Sequence, residues 1–136
     1  MHRAARYGDG WFPFFMTAEM YRNSVQEISA MAKEYGRGDH IFTQAHNLFW
    51  SVGNDYEEAL EAAAAGNPFG GHRKEFSAKY DIVGTPADCI KRIRGFVDVG
   101  LRHVIVKPLR AMREEGPNML LEQAERIAKE VVPYFK

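Results

Sequence analysis

The clearest pattern in the chain is an apolar stripe at helical spacing that leads into a short β-branched run, within residues 81–109. Thr85 fits a helix N-cap and Asp88 the capping position three residues later, and Gly100 fits the left-handed residue after the last turn. The stripe consists of Cys89, Ile90, Ile93, Phe96 and Val97. The run at 101–107 then predicts a strand buried on both faces, as parallel strands are.

The same reasoning predicts further helices. Residues 3–7 form the last turns of one helix, closed by Gly8, and Thr17 caps a second helix that ends at Gly36. Asn54 or Asp55 caps a third helix that runs to residue 65. The segment 69–80 is a connection with one helical turn. The last helix, 119–132, turns its apolar side inward through Leu120, Leu121, Ala124, Ile127, Ala128 and Val131.

Three strands are predicted, at residues 9–14, 41–52 and 101–107. Strands and helices alternate along the chain, which is the order of an α/β protein with a parallel sheet. At 136 residues the chain is one domain, 1–136, although its abrupt first residues suggest a start that has been cut.

Composition narrows the function classes. The formal net charge is zero, so no surplus of Lys and Arg directs the chain toward nucleic acid or a membrane surface. A single cysteine, Cys89, on an apolar helix face reads as a packed core thiol and fits a cytoplasmic protein. No run approaches a membrane span of roughly 20 apolar residues. The five histidines show no paired metal-ligand spacing: His2, His40, His46, His72 and His103.

Polar side chains within the second strand are the first candidates for chemistry. Gln44, His46 and Asn47 need partners if they are buried, and in a barrel interior they could bind a ligand. The alternative, favoured here, is that they bond neighbouring backbone or one another. His46 could act as an acid or base near neutral pH, although no acidic residue at a readable spacing orients it.

Aromatic and basic residues near strand ends are the other candidates. Trp11, Phe12, Phe14 and Phe15 could line an apolar substrate pocket, or pack in the core. A basic cluster at the end of the last strand could meet an anionic cofactor, or be solvated loop charge: Lys107, Arg110 and Arg113. His72, Arg73 and Lys74 receive no role.

Four stretches together resemble the C-terminal part of the luciferase-like flavin-dependent monooxygenases, a family that includes enzymes using FMN or the related deazaflavin coenzyme. They are RAARYGDGWFP at 3–13, NDYEEA at 54–59, VGTPADC at 83–89 and DVGLRHV at 98–104. The resemblance implies a partial (β/α)₈ TIM barrel of α/β class, in which this chain supplies the last three strands with their helices. A full barrel takes about 250 residues.

The resemblance further implies a truncated or split monooxygenase or oxidoreductase that uses FMN or a deazaflavin. Phe14, Gln44 and Lys107 would then be cofactor-binding candidates and His46 a catalytic one. Because strands five and one of the barrel would be missing, we expect a homo-oligomer or a partner chain to cover the edge strands around Trp11 and Val104. The alternative is a non-catalytic α/β module for oligomerisation or binding.

Overall fold

A computed structural model describes residues 1–110 and 116–135 of the chain. The helices are α1 (His2–Tyr7), α2 (Ala18–Glu34), α3 (Tyr56–Gly66), α4 (Lys74–Tyr80), α5 (Pro86–Asp98) and α6 (Gly116–Arg126). A π-helical turn (Ile127–Val131) and a 3₁₀ turn (Val132–Phe135) continue α6. The strands are β1 (Gly10–Trp11), β2 (Thr43–Val52), β3 (Ile82–Gly84) and β4 (His103–Pro108).

The sheet is built around β2, and its fold resembles a partial barrel. β1 runs parallel to the start of β2, with Gly10 opposite Thr43, and β3 runs parallel to its end, with Ile82 opposite Trp50. β4 also pairs with β2. The three predicted strands are therefore confirmed with fewer residues each, and β4 ends one residue later than predicted. The short β3 was not predicted, because a three-residue strand is too brief to show a period.

The helix caps form as the sequence predicts. The Thr17 hydroxyl accepts a hydrogen bond from the Met20 N–H at 3.2 Å, and the Asp55 carboxylate caps α3 in the same way. Thr85 and Asp88 make a reciprocal capping box, in which Asp88 Oδ2 accepts from the Thr85 N–H at 2.9 Å and Thr85 Oγ1 from the Asp88 N–H at 3.3 Å. These local signals fix where each helix begins.

The chain forms two compact units. The first comprises residues 1–47 with 95–105, and the second 48–94 with the described part of 106–136. In the first unit, Ala5, Ile28 and Ala32 form one buried cluster. The core of the second unit includes Phe49, Trp50, Val52, Ala63, Ile82, Cys89, Ile93, Leu109, Ile127 and Val131. Among the described helices, none is both long and apolar enough to cross a membrane.

The expectation that the last strand is buried on both faces is wrong. Ile105 in β4 is 42% exposed, Val106 is 37% exposed, and the remaining strand residues are exposed or half-buried. Within the described residues β4 pairs with β2 alone, so β4 is an edge strand. Its apolar sequence fits a strand with neighbours on both sides, and its exposure follows because, among the described residues, no second strand pairs with it.

The predicted inward face of the last helix is also wrong in part. Leu120 and Leu121 are 44% and 62% exposed, and Ala124 and Ala128 are exposed as well. The buried residues are Gln123, Ile127 and Val131. The buried residues recur every four positions. Gln123 takes the inward position in place of the leucines because its amide forms hydrogen bonds with the backbone at the end of β2, as described below. The connection at 69–80 likewise contains two turns of helix, α4, where one was expected.

Candidate functional site

An exposed aromatic loop follows β1. Phe12 and Phe14 are 45% and 42% exposed, and their ring centroids lie 5.6 Å apart. Phe15, whose ring centroid is 6.1 Å from that of Phe14, has a φ of 51°, a left-handed backbone that a bulky residue rarely adopts. Such strain is concentrated at functional sites. The loop lies at the carboxyl end of a parallel strand, where barrels carry their sites.

Trp11 does not belong to this exposed loop. Its ring packs against Tyr21 of α2, with centroids 5.5 Å apart, and Tyr21 is fully buried. From the sequence, the aromatic residues at 11–15 could either line a pocket or pack in the core. The structure places Trp11 against the core and Phe12 and Phe14 at the surface.

His46 is held inside an aromatic box in the first unit. Its ring stacks on Tyr21 at 5.6 Å and meets Phe96 edge-on at 5.2 Å. Nδ1 lies 3.0 Å from the Asn47 carbonyl oxygen. Burial lowers the pKa of His46 to about 4, against the opposing effect of the Asn47 and Met16 backbones. The imidazole is therefore neutral near pH 7, which suits packing better than proton transfer.

Gln44 lies at the start of β2, far along the strand from its carboxyl end at Val52. Its side chain packs on Gly100, where an added Cβ would stand 2.5 Å from Gln44 Oε1. Gly100 has a φ of 104°, a backbone conformation that favours glycine at this position. Gln44 Oε1 and Asn47 Oδ1 are buried and have no hydrogen-bond partner among the described residues. The partners expected for these two oxygens are thus absent from the described part of the chain.

Basic side chains in the second unit lie where β2 and β4 end. Arg110 Nε donates to Ser51 Oγ at 3.2 Å, and its guanidinium also pairs with Glu58 on α3. The Lys107 ammonium stands 5.7 Å from the centroid of the Phe49 ring. Arg113, the third member of the predicted basic cluster, lies outside the described residues. Arg110 is thus already engaged by a hydroxyl and a carboxylate.

Gln123 closes the end of β2. Its amide accepts from the Val52 N–H at 2.9 Å and donates to the Val52 carbonyl at 3.0 Å, and its side chain is 1% exposed. Arg126, one turn later on α6, donates to the Val52 and Gly53 carbonyls at 3.3 and 3.2 Å. The last helix is therefore fastened to the strand through polar groups, a contact that an apolar pattern cannot reveal.

A buried acid was missed by the sequence reasoning. Asp81, just before β3, is 1% exposed, and its Oδ2 accepts from Asn67 Nδ2 at 2.8 Å. Asn67 Oδ1 in turn accepts from the N–H groups of Phe69 and Gly70, at 2.9 and 3.2 Å. Burial raises the pKa of Asp81 to about 6, opposed by Asn67, by Ser77 and by the charge of Arg92. The Asp81 carboxyl and Asn67 amide together hold the turn after α3.

Neither metal nor thiol chemistry is indicated in the described part of the chain. Within residues 1–110 and 116–135, no three His, Cys, Asp or Glu side chains are grouped so as to hold a metal ion. Cys89 is free and buried, and burial raises the pKa of its thiol to about 12. It therefore remains a protonated thiol, which is a poor nucleophile.

The profile of the luciferase-like monooxygenase family matches residues 1–103. Since this match covers most of the chain, the chain belongs to the luciferase-like monooxygenase family. No curated protein sequence matches the chain.

Solved structures share the fold at low sequence identity. An F420-dependent tetrahydromethanopterin reductase from Methanopyrus kandleri is 20% identical with a TM-score of 0.73, over 99% of this chain and 48% of that one. An F420-dependent secondary alcohol dehydrogenase, solved with an F420-acetone adduct, is 19% identical with a TM-score of 0.66, over 79% and 39%. A riboflavin lyase, solved with modified FMN and riboflavin, is 13% identical with a TM-score of 0.63, over 98% and 39%. The chain thus spans less than half the length of these structures.

Proposed function

We propose that this chain is part of a luciferase-like oxidoreductase that binds FMN or a deazaflavin and contributes walls to the cofactor pocket. The supporting observation from the structure is the exposed aromatic loop with the strained Phe15 at the carboxyl end of β1. Family membership gives the reaction class. A reduced flavin supplies electrons for oxygen chemistry, and a deazaflavin exchanges hydride with an organic substrate.

The aromatic loop suits the planar ring of such a cofactor. Phe12 and Phe14 offer exposed apolar faces for stacking. In the second unit, Lys107 at the end of β4 remains a separate candidate for binding an anionic group. Gln44 at the start of β2 and the neutral His46 receive weaker support from their positions, since sites of this fold lie at the carboxyl ends of strands.

Flavin titration tests this proposal. We expect the purified chain to quench the fluorescence of added FMN or F420 saturably at micromolar concentration. Phe14→Ala should weaken binding roughly fivefold, because one stacked ring is worth about 1 kcal/mol. Tyr7→Ala, at a 70% exposed aromatic position on α1, is the matched control and should bind as the unaltered chain does. Saturable binding that Phe14→Ala does not change would contradict the role of the loop.

We further propose that the active form is a homo-oligomer or a complex with a partner chain, located in the cytoplasm. Ile105 and Val106 of β4 are apolar edge-strand residues left in solvent, which favours pairing with a strand from another chain. The single free thiol of Cys89 is compatible with a reducing compartment.

Sedimentation tests the association. We expect a species larger than the monomer, which the double substitution Ile105→Lys and Val106→Lys converts to monomer. Leu121→Lys, at an apolar residue of α6 that is 62% exposed, is the control and should leave association unchanged. A compact monomer that binds no hydrophobic dye would refute this part of the proposal.

The second candidate function is a non-catalytic oligomerisation or binding module. The exposure of β4 favours association whether or not a cofactor binds. Association without binding of FMN or F420 would select this module, and association together with cofactor binding would select the oxidoreductase.

A further inference from the structure

The turn at residues 67–73 joins α3 to α4 in the second unit and is tied to the buried Asp81. Asn67 makes this link with both groups of its amide. Its Nδ2 donates to Asp81 Oδ2 at 2.8 Å, and its Oδ1 accepts from the N–H groups of Phe69 and Gly70. A change at the Asp81 carboxyl therefore reaches the backbone of the turn through one side chain.

The surroundings of the Asp81 carboxyl disfavour a charge. Asp81 is 1% exposed, and its Oδ1 has no hydrogen-bond partner among the described residues. Ser77 of α4 and the charged Arg92 of α5 favour the ionised form. Arg92 itself donates to the Lys79 carbonyl, and Tyr56 acts on its charge in turn. Desolvation outweighs these groups and raises the pKa of Asp81 to about 6, so the ionised carboxylate would gain stability from contact with water.

The backbone of the turn is held in an unfavourable conformation. His72 has a φ of 59°, in the left-handed region that is uncommon for residues other than glycine. Such a conformation persists only where the surrounding contacts impose it. The contact of Asn67 with Asp81 is one of these, and the hydrogen bond from Arg73 Nε to the Gly70 carbonyl at 2.9 Å is another. Loss of either contact should therefore favour an open turn.

The turn also covers an apolar side chain. The ring centroids of Phe69 and Phe49 lie 5.9 Å apart, and Phe49 is 2% exposed whereas Phe69 is 58% exposed. The Lys107 ammonium stands 5.7 Å from the centroid of the same Phe49 ring. Movement of the turn would therefore expose Phe49 and change the surroundings of Lys107.

We propose that the 67–73 turn is a pH-sensitive lid, which is closed over Phe49 while Asp81 is protonated and opens when Asp81 ionises. Opening lets water reach the carboxylate and releases the left-handed backbone at His72. The pKa of Asp81 is about 6 in the closed form against 3.8 in water, so the closed form is fully favoured below pH 3.8 and loses this advantage as pH rises through 6. The population of the open lid should therefore rise about 50-fold between pH 4 and 7. No step of this opening requires a bound cofactor.

Amide hydrogen exchange on the ¹⁵N-labelled full chain tests the lid. The protection of the Phe69 and Gly70 N–H groups, corrected at each pH for the exchange rate of an unstructured peptide, should fall about 50-fold from pH 4 to pH 7. The Cys89 N–H, which donates to the Thr85 carbonyl at 3.0 Å, is the reference for unfolding of the whole second unit. Phe69 and Gly70 should be less protected than Cys89 at every pH, because the lid opens while the rest of the unit stays folded.

Three variants separate the ionisation of Asp81 from a purely structural effect. Asp81→Asn keeps an acceptor for Asn67 but cannot ionise, so the turn should keep its pH 4 protection up to pH 7. Arg73→Leu removes the contact with the Gly70 carbonyl, so protection should fall by a similar factor at every pH while its pH dependence remains. His72→Asn should leave the pH dependence unchanged, which excludes titration of the histidine in the turn as its cause. Thermal melts should show that each variant is folded.

Any of three results would overturn the proposal. The first is protection of Phe69 and Gly70 that does not change between pH 4 and 7. The second is protection equal to that of Cys89 throughout, which would mean that these amides exchange only when the whole unit unfolds. The third is a pH dependence that persists in Asp81→Asn or disappears in His72→Asn.

Discussion

The first compact unit buries a histidine and the second buries an aspartate, and the pKa values of the two are shifted in opposite directions. In the first unit His46 lies between the rings of Tyr21 and Phe96, and burial lowers its pKa to about 4. In the second unit Asp81 is bound by the Asn67 amide, and burial raises its pKa to about 6. Burial disfavours the charged form in both cases, so a base and an acid shift in opposite directions.

The contributions of His46 and Asp81 to the free energy of unfolding therefore depend on pH in opposite directions. The unfolded chain protonates His46 near pH 6.5 and the folded chain near 4, so this contribution is present above 6.5 and lost as pH falls through 4. Asp81 loses its proton near pH 3.8 when unfolded and near 6 when folded, so its contribution is present below 3.8 and lost as pH rises through 6. Between pH 4 and 6 the two slopes oppose each other.

The largest expected effect comes from removing Phe96, one of the two rings that pack against His46. Phe96→Ala should lower the free energy of unfolding by about 3 to 5 kcal/mol, because a buried ring is removed and a cavity remains. The pKa of His46 should also rise toward 6.5 as water enters. Urea denaturation and histidine resonances measure the two. Phe12→Ala, at an exposed ring, should cost less than about 1 kcal/mol.

His46→Leu removes the titrating base. The loss of stability on acidification from pH 6.5 to 4, about 3 kcal/mol for the His46 contribution, should disappear, leaving the Asp81 slope in which stability rises as pH falls from 6 to 4. Urea denaturation at a series of pH values measures this. His2→Leu, at an exposed histidine, should keep the pH dependence of the unaltered chain; the same result for His46→Leu would disprove the assignment.

Asp81→Asn should change the pH dependence of stability in the opposite direction. The variant should gain about 2 to 3 kcal/mol over the unaltered chain above pH 6, and this difference should vanish below pH 4, because the ionised form of Asp81 is the one that burial disfavours. The same pH series measures it, with Asp39→Asn as the exposed control. A variant that is less stable at pH 8 would show that the hydrogen bond from Asn67 outweighs desolvation.

The smallest effects compare one helix cap from each unit. Thr17→Ala and Thr85→Ala should each cost about 1 kcal/mol in thermal or urea denaturation. Thr85 should cost more, since its hydroxyl accepts from the Asp88 N–H and also donates to Asp88 Oδ2, whereas for Thr17 the structure shows one side-chain cap bond. Equal costs would mean that the hydrogen bond from the Thr85 hydroxyl to Asp88 Oδ2 adds no net stability.

Local signals made much of the fold predictable. The caps at Thr17, Asp55 and Thr85 depend on residues within one turn, so their sequence spacing suffices to place α2, α3 and α5. The aromatic residues after β1 were predictable as pocket candidates, but which of them packs inward was not. Trp11 faces the core because Tyr21 of α2 lies beside it, and that neighbour is set by tertiary structure.

What escaped prediction depends on distant partners. β4 has the sequence of a buried strand, yet its exposure is decided by which strand pairs with its second edge. Asp81 and Asn67 are 14 positions apart, and no short motif joins them. Leu120 and Leu121 gave the stronger apolar signal in α6, but Gln123 took the inward position through its bonds to the Val52 backbone.

The amide of Gln123 has the same donor and acceptor as a peptide group, and it occupies both hydrogen-bonding groups of Val52. A side chain therefore takes the place of a neighbouring strand at the last residue of β2. Any strand that joins the sheet from another molecule cannot extend the ladder at this residue, because its hydrogen-bonding groups are already used. Gln123 therefore prevents a further strand from pairing with Val52.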